Sequence, residues 1–241
     1  MADYDRQTLS ARAGSAAAID EGLRSYMLSV YNYMGLGLVV TGLVAYFFNQ
    51  WAFASEANAQ LVYGSPLAWV IMLAPLAFIL VLSFGINKMS VGAAQLTFWA
   101  FATVMGLSLS SIFAVYTDAS IARVFFITAA TFGAMSLYGY TTKRDLTSMG
   151  TFLFMGLIGL VIAMIVNIFL QSSALEFAIS AIGVLIFVGL TAYDTQKIKE
   201  SYASHFGAEV LTKNAIMGAL SLYLDFINLF LMLLRLFGNR E

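Results

Sequence analysis

No cysteine occurs among the 241 residues, so no disulfide, thiolate nucleophile or thiolate metal site can form. There is a single histidine, His205, which excludes a multi-histidine metal centre. Charge is scarce as well: Lys, Arg, Asp and Glu make up 10% of the chain and the net charge is -1. With nothing basic clustered, there is no electrostatic reason to expect nucleic acid as a partner. No residue set calls for a bound cofactor. What remains is apolar: 61% of the chain is hydrophobic and its mean hydropathy is +0.85. A soluble domain of this length does not show that profile, so the chain is expected to be a polytopic membrane protein surrounded by lipid.

Seven apolar segments can be marked: Tyr26 to Phe48, Leu67 to Ile86, Gly92 to Tyr116, Ile121 to Tyr140, Met149 to Leu170, Phe177 to Thr195 and Ala215 to Phe237. Each is near the ~20 residues that a spanning helix needs. The expected fold is an all-α integral membrane protein, a seven-transmembrane-helix bundle over residues 25–241. The joints, from Asn49–Pro66 through Gln196–Asn214, are short and polar, and none can hold a soluble domain. The first 22 residues carry acids early and have no apolar core before Tyr26, so residues 1–24 are expected to form a mobile cytoplasmic tail rather than a cleavable signal.

Orientation follows from the cations, because Lys and Arg in short loops stay cytoplasmic. Nine of the twelve fall in the tail and the even joints (Arg6, Arg12, Arg24, Lys88, Lys143, Arg144, Lys197, Lys199, Lys213), against Arg123, Arg235 and Arg240 on the other side. The N-terminus is therefore expected inside and the C-terminus outside. Gly35, Gly42, Gly133, Gly156, Gly159, Gly183 and Gly189 recur at helical spacing and read as sites of close helix packing. Pro75, in mid-span of the second segment, should bend that helix or offer a pivot.

Two acids lie inside apolar runs: Asp225 in the last segment, and Asp194 in GVLIFVGLTAYDTQKIK. An acid near the hydrocarbon core costs at least ~2.5 kcal/mol on insertion scales, so it needs a partner, a proton or a watery path. At ~4 Å in an effective dielectric near 20, two aspartates repel by ~4 kcal/mol, so a contacting pair should share a proton and titrate as one unit. Around Asp225 the helical rows collect Ser221 and Asn228; around Asp194 they collect Thr191 and Lys197. The alternative is that each acid is satisfied separately, Asp194 by Lys197 and Asp225 by Asn228 or a backbone donor. Asp194 precedes Lys197 by three residues, whereas Asp225 follows Lys213 by twelve, or ~18 Å of helix. The two can meet only if the last helix begins in the cytoplasm. The run Thr142, Lys143, Arg144, Asp145 reads as a cytoplasmic anchor with a capping role, His205 as a solvated loop residue, and Tyr138, Tyr140, Tyr193 and Trp99 as interface or packing aromatics.

The segments SLYLDFINLFLMLLRLFG (Ser221 to Gly238) and AYDTQKIK (Ala192 to Lys199) resemble the Bax inhibitor-1, or transmembrane BAX inhibitor motif, family in its bacterial branch. The resemblance covers nearly the whole chain. It implies a seven-helix fold with the last helix central, placement in a bacterial inner membrane, and activity as a pH-sensitive calcium leak channel. The paired pore aspartates of that family correspond to Asp194 and Asp225, which would meet Ca²⁺ transiently as the permeant ion and H⁺ as the signal. Bacterial relatives latch this pair with an arginine-rich end of the second helix; here that stretch reads GINKMS, with Lys88 its one cation. Three rival readings stand beside the channel. One is a Ca²⁺/H⁺ exchanger. Another is an intramembrane aspartyl protease, against which the glycine-flanked second aspartate and the proline-alanine-leucine motif of such enzymes are missing. The last is a membrane scaffold for protein quality control, with protein partners that the sequence does not name.

Overall fold

The computed structural model describes the backbone of residues 2–240 and the side chains of residues 20–240. The tail expected over residues 1–24 lies, but for its last five residues, outside the described side chains. Among the described residues the regular elements are all helical, apart from one isolated bridge between Tyr116 and Arg240. They are α1 (Ala2–Ala52), α2 (Glu56–Tyr63), α3 (Leu67–Gly85), α4 (Val91–Leu109), α5 (Asp118–Thr141), α6 (Thr147–Leu170), α7 (Ser173–Glu200) and α8 (Ala208–Phe237), with 3₁₀ turns at Ile86–Lys88 and Ser110–Ala114. Seven of the helices are long and apolar enough to cross a bilayer, α1 doing so through Asp20–Ala52. The all-α membrane bundle expected from the sequence is thus the fold.

Several helices outrun their apolar segments, because hydropathy marks where the hydrocarbon ends rather than where backbone hydrogen bonding ends. Helix α8 begins at Ala208, seven residues before the apolar run, and α7 continues to Glu200 past Lys197 and Lys199. The first joint is not all loop: it contains α2, started by Ser55, whose hydroxyl accepts from the Asn58 amide at 3.2 Å. Ser90, Thr117 and Ser172 start α4, α5 and α7 in the same way. Helix α3 runs unbroken through Pro75.

Helix α8 is the axis. In its most apolar window 72% is buried inside the protein, against 44% for α7 and 28% or less for the other spans. Helices α1, α4, α5 and α7 pack directly on it, whereas α3 leans on α4 and α6 leans on α7 from outside. Aromatic rings lock this centre: Tyr223 meets Phe101 edge-on at 5.1 Å, and Phe226 meets Phe125 and Phe132 at 5.5 Å. The Tyr223 hydroxyl is bonded to Thr41 at 2.6 Å, and Thr41 donates to the Ala102 carbonyl at 2.8 Å. That chain pins α8 to α1 and α4. Among the gaps left between neighbouring helices, one lies between α3 and α6 and one between α1 and α5.

The ends of the bundle differ. At the cation-rich end, the Tyr26 hydroxyl meets Ser201 at 3.2 Å. At the opposite end, Arg240 pairs with Glu176 at 3.1 Å and bridges to Tyr116. The start of the first span and the C-terminus therefore lie at opposite ends, as an odd number of spans requires.

The glycine expectation needs correction. Gly156, Gly183 and Gly189 do abut neighbouring helices, a Cβ at Gly189 falling 2.5 Å from Leu153 and one at Gly183 falling 2.9 Å from Met232. Gly35, Gly42, Gly133 and Gly159 have nothing within 4 Å. The tighter approaches are elsewhere: Gly139 against the Ala192 carbonyl, Gly106 against the Thr41 carbonyl at 2.7 Å, and Gly150 against the Tyr193 ring. Spacing along one helix does not say which of its faces meets a partner.

Candidate functional site

Helices α7 and α8 are joined by the short stretch 201–207 and run antiparallel. They can approach closely where Gly218 faces Ile198, a Cβ there lying 3.0 Å from the isoleucine. Because α8 starts early, Asp225 comes level with Asp194. The two side chains line one cleft and lie close enough to interact. Asp225 is 6% exposed, and its Oδ2 is buried with no hydrogen-bond partner among the described residues. Asp194 is half-buried.

Neither separate partner expected for the acids is hydrogen-bonded to its acid among the described residues. Asn228 donates to the Leu224 carbonyl at 2.8 Å, one turn back on its own helix, and not to Asp225. Lys197 is exposed and its Nζ lies 5.8 Å from the centre of the Tyr193 ring. Among the described residues the ion pairs are Lys213–Glu209 and Arg240–Glu176, so none joins Lys197 to Asp194. An orphaned carboxylate oxygen near a second carboxyl is an unstable arrangement for two ionised groups, and one proton held between them would supply the missing hydrogen bond.

The pair lies on the floor of a cleft of about 730 Å³ between α3 and α6. Ser221, Asn228 and Lys197 share that floor, and Leu76, Ile79, Phe154 and Val161 make apolar walls. A second cavity of about 300 Å³, lined by Asp194, Lys197, Ser201, Asn214 and Ser221, adjoins it at the cation-rich end. Polar groups thus run from that end of the bundle down to Asp225. Further along α8 the seam between α6, α7 and α8 is filled where Met232 lies against Gly183 with Leu160 alongside. Lys88, the one cation where relatives carry latch arginines, is exposed in the 3₁₀ turn after α3 and is not among the residues lining the cleft.

Chemically the floor offers hard oxygen donors. Ca²⁺ takes about six to eight oxygens, and the described residues contain no group of three or more acid, histidine or cysteine side chains placed to hold a metal. Two carboxylates with Ser221 and Asn228 would leave a cation mostly hydrated, which suits passage better than storage.

Sequence reasoning missed the groups that hold α7 in place behind Asp194. Gln196, 5% exposed, accepts from the Leu146 amide at 2.8 Å and donates to the Arg144 carbonyl at 2.7 Å, clamping the α5–α6 joint to α7. Thr195 and Ser136 are bonded at 3.0 Å, and Ser136 meets the Tyr31 hydroxyl at 2.5 Å. Lys199 donates to the Tyr140 carbonyl at 2.8 Å. An uncharged side chain on an apolar helix gave no signal of its partner. In the same joint Asp145, one residue before the N-cap Leu146 of α6, accepts from the Thr147 amide at 2.8 Å, and the Thr147 hydroxyl together with that amide holds its carboxyl below the usual range. His205 is exposed in the α7–α8 joint, beside Phe206.

The sequence matches the family described as Inhibitor of apoptosis-promoting Bax1 over residues 23–241. It is 50% identical to an uncharacterized protein of Rickettsia prowazekii over the full length of both chains. It is 49% identical to the inner membrane protein YbhL of Escherichia coli K12, over 95% of this chain and 98% of that one, and 46% identical to an uncharacterized protein of Caulobacter vibrioides over 93% and 92%. Near-half identity carried through all seven spans, and a family match that includes both aspartate helices, mean that the chain belongs to the Bax inhibitor-1 family of membrane proteins.

Proposed function

We propose that the protein is a pH-sensitive calcium leak channel of a bacterial inner membrane, gated by Asp194 and Asp225, with its N-terminus cytoplasmic and its C-terminus outside. The observation that carries this reading is the buried Asp225 Oδ2, which has no hydrogen-bond partner among the described residues, on a residue that shares a cleft with Asp194 where a polar path from the cation-rich end stops. With one shared proton the pair is a single hydrogen-bonded unit with one net charge. Loss of that proton sets two charges against each other at a cost of ~4 kcal/mol at ~4 Å. Gain of a second proton removes the charge that makes the bond strong. Either change loosens the pair, but only loss of the proton offers two carboxylate oxygens to a passing cation, whereas a second proton leaves neutral carboxyls that hold a cation poorly. Ca²⁺ and H⁺ then compete for one site.

The test is calcium entry into vesicles holding the purified protein and a trapped calcium dye, across pH. A leak that changes with pH and is abolished or fixed by replacing the aspartates is expected. A flux with no pH dependence would remove the gating role. Flux that persists with the proton gradient collapsed supports a channel, whereas flux that requires an opposing gradient supports the exchanger.

A further inference from the structure

The gap between α1 and α5 forms a second groove, of about 580 Å³, on the side of the bundle away from the α3–α6 cleft. Its lining includes Arg24, Tyr31, Phe132, Gly133, Ser136 and Tyr140. Leu28 and Leu137, at its edges, are 52% and 63% exposed on a surface that faces lipid in a membrane. The floor has hydroxyls, but they are already satisfied: Tyr31 bonds to Ser136 at 2.5 Å and Ser136 bonds to Thr195 at 3.0 Å. A hydrocarbon chain can therefore fill the groove without stranding a buried polar group. Gly133 faces open space, with nothing within 4 Å of a Cβ built there, so part of the groove exists because that residue has no side chain.

The cation-rich end of the groove is charged. Arg24 is exposed at the start of the first span. Asp20 and Glu21 lie one turn before it, yet among the described residues Arg24 forms no ion pair. Lys199 reaches the same end, its Nζ on the Tyr140 carbonyl and 5.3 Å from that ring, also with no acid paired to it among the described residues. A guanidinium offers parallel donors to two phosphate oxygens at headgroup depth. A zwitterionic headgroup would bring its own cation toward these two; an anionic one would not.

We infer that the α1–α5 groove is a binding site for one anionic phospholipid, its phosphate on Arg24 and an acyl chain lying over Gly133. This inference is independent of the calcium reading. Basic pockets between spans at the cytoplasmic side suit anionic headgroups on general electrostatic grounds.

Native mass spectrometry of the intact protein in mild detergent tests it, by titrating phosphatidylglycerol and phosphatidylcholine with identical chains. One phosphatidylglycerol should bind in preference to phosphatidylcholine by about fivefold or more, the attraction of a single cation near an anionic lipid. Arg24→Gln should remove most of that preference, with Lys199 left to supply the remainder. Gly133→Leu should weaken both, and Gly133→Ala should do so less, with the thermal midpoint unchanged in each. sn-Glycerol 3-phosphate, the headgroup chemistry without chains, should not displace the lipid. Equal retention of both lipids by the wild type, unaltered binding in Arg24→Gln or in the two Gly133 variants, or displacement by glycerol phosphate would each overturn the site. So would a protein dimer that Gly133→Leu dissociates, since a second copy would then be the occupant.

Discussion

Asp194 on α7 and Asp225 on α8 line one cleft close enough to interact, and Asp225 Oδ2 is buried without a hydrogen-bond partner among the described residues. Those two facts together make the pair more informative than either acid alone. A buried acid that is satisfied in place reads as structural, whereas one with an unpartnered oxygen close to a second acid is the arrangement on which the proposed proton response rests.

Asp194→Asn and Asp225→Asn should each flatten the pH dependence of calcium flux, since the amide keeps the shape and removes a titrating member. The groups act as one, so the double variant should add little to either single one. Calcium-dye traces across pH for the four proteins check this. Simple addition of the two shifts in midpoint would mean that the acids titrate independently.

Lys88→Ala should leave most of the pH response intact. Lys88 is exposed and is not part of the cleft lining, and one flexible cation is a poor bidentate partner for a carboxylate pair. A variant locked in one state across the pH range would show that α3 swings Lys88 onto the aspartates.

The chain has no native cysteine, so single cysteines report topology cleanly. One at Ala59 on α2 should label from outside intact cells, and one at Ser204 in the α7–α8 joint only after permeabilisation. Labelling of Ser204→Cys from outside would invert the orientation.

Gln196→Leu should destabilise the protein by about 1–3 kcal/mol, because it strands the buried Leu146 amide and the Arg144 carbonyl together. The check is a lowered thermal midpoint in detergent. Gln196→Glu, which can still accept from Leu146, should lose less if the acceptor half of the clamp dominates.

Gly139→Ala should cost about 1–3 kcal/mol by forcing α5 off the Ala192 backbone, while Gly42→Ala, with open space around it, should change the thermal midpoint little. Equal effects of the two would show that α5 and α7 can separate freely at this level.

Much of this molecule is written in local composition. Hydropathy marks the seven spans because the bilayer penalises every polar group wherever it sits in the chain, so no tertiary information is needed to find them. The scarcity of intramembrane acids singles out Asp194 and Asp225 for the same reason, and the depth arithmetic from Lys197 and Lys213 already requires an α8 that starts before its apolar run, as it does at Ala208.

Packing was not legible, because it depends on which faces of which helices meet. Gly42 and Gly139 look alike in sequence, yet one faces open space and the other a backbone carbonyl. Gln196 is one more polar residue near a helix end until the fold brings Leu146 and Arg144, fifty or more residues distant, against it. Only the tertiary structure leaves the α3–α6 and α1–α5 gaps open, by stacking α3 on α4 and α6 on α7 outside the ring around α8. The sequence by itself determined the membrane, the spans and the two acids, since a bilayer acts on each residue in turn. The contact between the acids and the grooves around them came from long-range packing, where small differences in shape decide which surfaces close and which stay open.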